Sequence, residues 1–149
     1  MRTISNLLTS TALTILFVFA SVATAEQATD IGDAVVHYNA VTTDFFNPRI
    51  AKIYGIKRSK NRALLTVTVL KKHMGLASLP VKADITASAV SLRNQIKNLT
   101  LREITDGGAI YYISEFPVSN EETLDFTLNI TPINGETSTI KFRQHFYTQ

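Results

Sequence analysis

The feature that most constrains this chain is strict two-residue alternation. In the stretch LPVKADITASAV (79–90), Leu79, Val81, Ala83, Ile85, Ala87 and Ala89 alternate with Lys82, Asp84, Thr86 and Ser88. In ALLTVTVLKK (63–72), Ala63, Leu65, Val67 and Val69 fall on one side and Leu64, Thr66 and Thr68 on the other. A helix would spread such a set around its axis, whereas an extended chain puts each set on one face. The pattern therefore predicts half-buried antiparallel strands. DAVVHYNA (33–40), LTLREI (99–104), AIYYISEF (109–116), TLDFTLNI (123–130) and STIKFRQHFY (138–147) continue it. TDGG between two of these runs is a hairpin signal, and Asn134-Gly135 suits a turn needing positive φ. About seven short strands so punctuated predict an all-β antiparallel sandwich of the immunoglobulin-like or fibronectin-like class. The Cys and Trp that mark antibody domains are absent.

Three stretches depart from alternation. Asn47 suits an N-cap, Pro48 a first helical position and Gly55 the position after a helix end, while Ile50, Ile53 and Tyr54 share a stripe. One short helix of two turns at most, lying across one end of the sandwich, is expected there. Residues 91–99 (SLRNQIKNL) fit either a crossover loop or a helical turn, and residues 26–31 read as a loose leader.

The beginning of the chain reads as an address. MRTISNLL carries one positive charge, ALTILFVFA (12–20) is a short apolar run, and ATA (23–25) fits a small-x-small cleavage site. That order predicts a secretory signal peptide over residues 1–25, cleaved between Ala25 and Glu26, and a periplasmic protein. The apolar run falls short of the roughly 20 residues a spanning helix needs, so no membrane span is expected after cleavage. Residues 26–149 then form a single β-sandwich domain. Without Cys, disulfides, thiolate metal sites and cysteine nucleophiles are excluded. Residues 26–149 hold 14 basic and 12 acidic side chains, too even a balance to mark a nucleic-acid binder.

Two long stretches, VVHYNAVTTDFFNPRIAKIYGIKRSKNRALLTVTVLKK and LREITDGGAIYYISEFPVSNEETLDF, resemble the domain-of-unknown-function family 4426, small exported proteins of gammaproteobacteria. YGIKRSKNRALL and AIYYISEFPV are the most specific blocks. The resemblance implies a periplasmic β-sandwich. It implies no activity and supplies no catalytic residues.

The residues themselves offer little for catalysis. There is no G-x-S-x-G elbow and no glycine-rich phosphate loop. His73 sits in a polar turn. His37 and His145 lie in the first and last predicted strands, where adjacency with Tyr147 and a carboxylate would make a metal site; the ordinary reading is two half-exposed strand histidines, and no cofactor or metal is assigned. Glu103 and Glu115 would face each other if their strands pair in that register, and a charged pair with Arg102 or a nearby Lys is the simpler reading. Glu121 and Glu122 read as a solvated corner.

The richest feature is the basic run after the helix: Lys57, Arg58, Lys60 and Arg62, with Lys52 inside the helix. Such a group suits capture of a carboxylate or phosphate. It also suits a helix C-terminus, a strand end or a solvated loop, and Asp44, Glu103 and Glu115 are available to neutralise it. In Phe45-Phe46 and Tyr111-Tyr112 one member of each pair must turn away from the core, with Phe46 expected under the helix. The reading that follows is a non-enzymatic periplasmic binding or protein-interaction domain. Its contact face is Lys57, Arg58, Lys60 and Arg62, with Tyr54 and Phe45 at the edge, toward an envelope protein or an anionic ligand. The alternatives are a small metal-dependent or acid–base enzyme using His37, His145 and Tyr147, and an assembly module offering residues 79–90 as a free strand edge.

Overall fold

The alternation is realised as ten strands among the described residues, in two antiparallel sheets. The computed structural model describes residues 27–73 and 77–149; the expected signal peptide lies outside the described residues. The first sheet runs β1 (Gln27–Ile31), β2 (Ala34–Thr42), β3 (Arg62–Lys71), β8 (Ala109–Pro117), β7 (Arg102–Asp106), with the two-residue β4 (Leu79–Pro80) beside β3. The second runs β10 (Ser138–Phe146), β9 (Glu122–Pro132), β5 (Ala83–Ser91), β6 (Ile96–Leu99). The all-β sandwich expected from alternation is what forms.

Between the sheets lies one core. Ala34, Val36 and Tyr38 of β2 and Leu65, Val67 and Val69 of β3 meet Leu124, Phe126, Leu128 and Ile130 of β9. The Phe126 and Phe142 rings stack at 4.6 Å, and Tyr38 packs on Phe142 at 4.8 Å. With no disulfide available, burial of such side chains, each worth about 1.5–3 kcal/mol, must hold the sheets together.

Several expectations are corrected. Residues 27–31 are not a loose leader but β1, paired in register from Gln27 opposite Tyr38 to Ile31 opposite Ala34. Residues 79–90 are not one strand. The Val81 N–H bonds the Val69 carbonyl in the first sheet at 2.9 Å, while the Lys82 carbonyl accepts at 3.0 Å from Ile133, the residue just past β9 of the second. Pro80, which has no N–H to donate, sits where pairing in the first sheet ends. Nor is β5 a free edge: β9 pairs with one side of it and β6 with its C-terminal half on the other. Beyond β6, Tyr112 Oη accepts the Ala83 N–H at 2.9 Å. Residues 99–104 likewise divide, β6 ending in one sheet and β7 beginning in the other. The ambiguous 91–99 stretch is a turn followed by β6, closing a hairpin with β5.

Two local readings hold in detail. Gly107 and Gly108, both at positive φ, make the two-residue turn between Asp106 and Ala109. The helix α1 (Pro48–Ile53) is capped by Asn47, whose Oδ1 accepts the Arg49 N–H at 2.9 Å. At its other end Gly55 takes positive φ, and Ile56 and Gly55 donate back to the Ala51 and Lys52 carbonyls at 2.7 and 3.3 Å, a Schellman closure. Among the described residues no helix is long and apolar enough to cross a membrane.

Candidate functional site

The helix covers the outer face of the first sheet rather than an end of the sandwich. Leu64 of β3 and Ile113 of β8 point away from the main core, yet both are buried, with Ala51 and Ile56, in a second apolar cluster. The helix contributes Ala51 to that cluster; Ile50 and Ile53, expected to face inward, are 40% and 61% exposed. The six-residue helix is too short to turn a wide stripe onto the sheet, and Ile56, carried past the end by Gly55, supplies the contact instead.

Helix and sheet enclose an apolar recess of about 320 Å³. Leu64, Thr66, Ile104, Tyr111 and Ile113 form its floor, and Phe46, Ile50, Tyr54 and Ile56 its roof and walls. One end is strapped shut. Tyr54 donates from its hydroxyl to Asp106 Oδ2 at 2.5 Å, and the Arg102 guanidinium donates to the Tyr54 carbonyl. The acceptor carboxylate raises the Tyr54 phenol above its ordinary pKa, because ionisation would lose the donated proton and face a negative charge. The Tyr111–Tyr112 pair divides as expected of adjacent strand residues, and it is Tyr112 that is buried while Tyr111 is exposed. Phe45 is 83% exposed, while Phe46 is partly buried against the second cluster.

The basic run lies at the opposite end, and its backbone is pinned by a residue that sequence reasoning overlooked. The buried Thr43 Oγ1 donates to the Lys57 carbonyl at 2.8 Å, with the Ser59 carbonyl at 3.1 Å, and accepts the Ser59 N–H at 2.9 Å. The Lys57 N–H bonds Glu115 Oε2 at 3.2 Å, and Glu115 stands opposite Leu64 in the β3–β8 ladder. This ties the loop to the Leu64 end of the recess. The four cations are not equivalent. Arg62 pairs with Glu115 at 3.4 Å and is partly buried. Arg58 uses one guanidinium N–H on the Asp44 carbonyl at 2.9 Å. Lys57 and Lys60 are exposed and form no ion pair among the described residues. Asp44 Oδ1 and Arg62 Nε are buried in this corner without a hydrogen-bond partner in the structure.

The other sequence candidates are dispersed. His37 lies on the outer side of β2, between core-facing Val36 and Tyr38; His145 lies on the outer side of β10, in the other sheet. The His145 ring packs at a tilt against Tyr147, centroids 4.5 Å apart, and its Nδ1 meets Thr123 Oγ1 at 2.6 Å. Among the described residues no group of three or more His, Cys, Asp or Glu is placed to hold a metal. Glu103 and Glu115 do not face each other. The hairpin register sets Glu103 opposite Tyr112, and Lys82 takes it at 2.9 Å. That hydrogen bond holds the Glu103 carboxyl below its ordinary pKa.

Fold and site together define a small all-β sandwich domain with a helix-roofed apolar recess beside a basic loop. The chain belongs to the domain of unknown function family DUF4426, whose model matches residues 28–149. A crystal structure of a DUF4426 family protein from Pseudomonas aeruginosa PAO1 is 34% identical, with a TM-score of 0.70 over 82% of this chain and 94% of that one. FetP of uropathogenic Escherichia coli strain F11, expressed in the periplasm of E. coli, shares 11% identity at a TM-score of 0.60, over 83% of this chain and 94% of its own. A copper-bound variant of FetP aligns at 0.58 and 11% identity, over 82% of this chain and 95% of its own. At that identity the FetP likeness is one of fold. No curated protein matches the sequence.

Proposed function

We propose that this protein is an exported, non-catalytic binding domain of the cell envelope whose contact face is the basic loop after α1. The observation that carries the reading is the contrast within that loop. Its backbone is fixed by the buried Thr43, whereas the Lys57 and Lys60 side chains are exposed and without ion pairs among the described residues. A loop held rigid while its charges stay available loses little entropy when it meets an anionic surface. Export is supported by the signal-like residues 1–25 and by the family's fold neighbour having been produced in a periplasm. The copper bound by the FetP variant is not carried across, since the likeness extends to fold alone.

Not every cation of the run belongs in the test. Arg62 is engaged by Glu115, so its removal would mix a folding effect with a binding one. The triple substitution Lys57→Gln, Arg58→Gln, Lys60→Gln, made in cells and followed by periplasmic crosslinking and mass spectrometry, is expected to abolish the main crosslinked species. Thermal stability should stay nearly unchanged, because exposed charges contribute little. Undiminished capture by the triple variant would sink the reading.

A further inference from the structure

Charge is distributed unevenly around the recess. Residues 44–62 carry six basic side chains against one acid, while the rest of residues 26–149 carries eight basic and eleven acidic ones. Of those six, Lys57, Arg58, Lys60 and Arg62 follow the helix toward the Leu64 end, while Arg49 and Lys52 lie in the helix itself. Glu115, the acid nearest the Leu64 end, is already occupied by Arg62 and by the Lys57 N–H. The other end is closed by Tyr54 and Asp106.

Inside, the recess has almost nothing to orient a polar ligand: its lining is overwhelmingly aliphatic and aromatic, with Thr66 on the floor. At about 320 Å³ it stands at the lower end of the roughly 300–1,000 Å³ typical of small-ligand sites. A ligand matched to these surfaces is apolar along its length and anionic at one terminus. We infer that the recess binds a single-chain anionic amphiphile, its alkyl chain between α1 and the outer face of β3, β7 and β8, and its head group on Lys57 and Arg58. This deepens the proposed function and rests on the basic loop being its contact face.

The position of the cations supports that orientation. Ile56 lines the recess and Lys57 follows it directly, so a head group at the open end meets Lys57 as the chain passes Ile56. Arg58 is anchored to the Asp44 carbonyl, two residues before Phe46 on the same wall, and so reaches that end from the other side. Each cation gains from a charge-assisted contact that a neutral or cationic head group cannot make.

Calorimetric titration of the purified protein with decanoate, decyltrimethylammonium, decyl maltoside and inorganic phosphate, all below micelle formation, tests this. Decanoate is expected to saturate one site and to bind at least about tenfold more tightly than the neutral or cationic amphiphile, with no saturation by phosphate. Lys57→Gln with Arg58→Gln should weaken decanoate by about tenfold and flatten its salt dependence. Ile50→Gln, at a partly exposed position that spares the fold, should weaken it too, and methyl NMR shifts on titration should centre on Ile104 and Ile113. Equal affinity for the cationic amphiphile, shifts centred elsewhere, or no saturation by decanoate would overturn the inference. Failure of decanoate while the charge variants still lose crosslinking overturns the amphiphile alone and leaves the binding domain standing, with a protein segment as its partner. If crosslinking also survives those substitutions, both readings fall.

Discussion

The phenol of Tyr54, at the end of α1, donates to the carboxylate of Asp106, the last residue of β7 and 52 positions further along the chain. This bond closes one end of the recess and holds the helix over the sheet. It also makes Tyr54 a reporter. The raised phenol pKa means that the strap is intact below the ordinary tyrosine value of 10.0 and is lost as pH climbs through the raised one.

Tyr112 is the second phenol pushed upward, by burial first. In an ultraviolet titration of the folded protein, two tyrosines should therefore ionise late. Tyr54→Phe is expected to remove one late component and to broaden the backbone signals of residues 48–56. A titration curve that loses no late component would contradict the strap.

Thr43→Val keeps the shape of the side chain and removes its hydroxyl from the Lys57 and Ser59 contacts. Leaving those partly buried backbone groups unmatched should cost about 1 kcal/mol in urea unfolding. The amide exchange of residues 57–60 should rise along with it. An unchanged midpoint together with unchanged exchange would show that the loop is held by something else.

Glu103 is held below its ordinary carboxyl pKa, first by the Lys82 hydrogen bond. Its contribution is complete above the ordinary value of 4.5 and disappears as pH falls through the lowered one. A side-chain NMR titration should give a Glu103 midpoint under 4.5 that moves back up in Lys82→Met. If Lys82→Met leaves that midpoint in place, the pair is not the cause.

Phe126 stacks on Phe142 and meets Phe116 and Phe146 edge-on at 5.7 and 6.4 Å. Phe126→Ala should therefore cost about 3–5 kcal/mol, near the upper end for a single core truncation. Denaturant midpoints measure it, and a loss under about 1 kcal/mol would mean that the aromatic cluster is not the centre of the core.

Glu121 occupies left-handed backbone at φ 57° in the turn before β9, where a side chain with a Cβ is disfavoured. Glu121→Gly relieves that conflict while adding freedom to the unfolded chain, so a net gain of about 0.5–1 kcal/mol is expected. A melting temperature lower than that of the unaltered protein would show that the Glu121 side chain contributes more than the backbone loses.

Much of this architecture could be read from residues one at a time. Asn47, Pro48 and Gly55 bound the helix because capping is decided within a few residues. Tyr111 turns away from the main core because successive strand residues point to opposite faces and Tyr112 takes the inner one. The sheet crossings could not be read, because side chains keep alternating whichever sheet the backbone joins; Val81 and Ala83 stay in phase across the break. The polar strand β1 gave no apolar signal. The recess draws on residues from positions 46 to 113, so no local window contains it. One clue was present: Ala63-Leu64 and Tyr112-Ile113 each place bulk on both faces of a strand, which requires a sheet covered on both sides.

Three crossings between the sheets, at 80–83, 99–102 and 117–122, decide how this molecule can be divided. The larger sheet draws on residues 27–71, 79–80 and 102–117, and the smaller on 83–99 and 122–146. The threads are interleaved like stitches, so a single cut in any loop leaves neither piece with both sheets intact. β3 must also wait for β8, roughly fifty residues later, the kind of distant pairing that slows folding. No single cut in a loop therefore separates one sheet from the other.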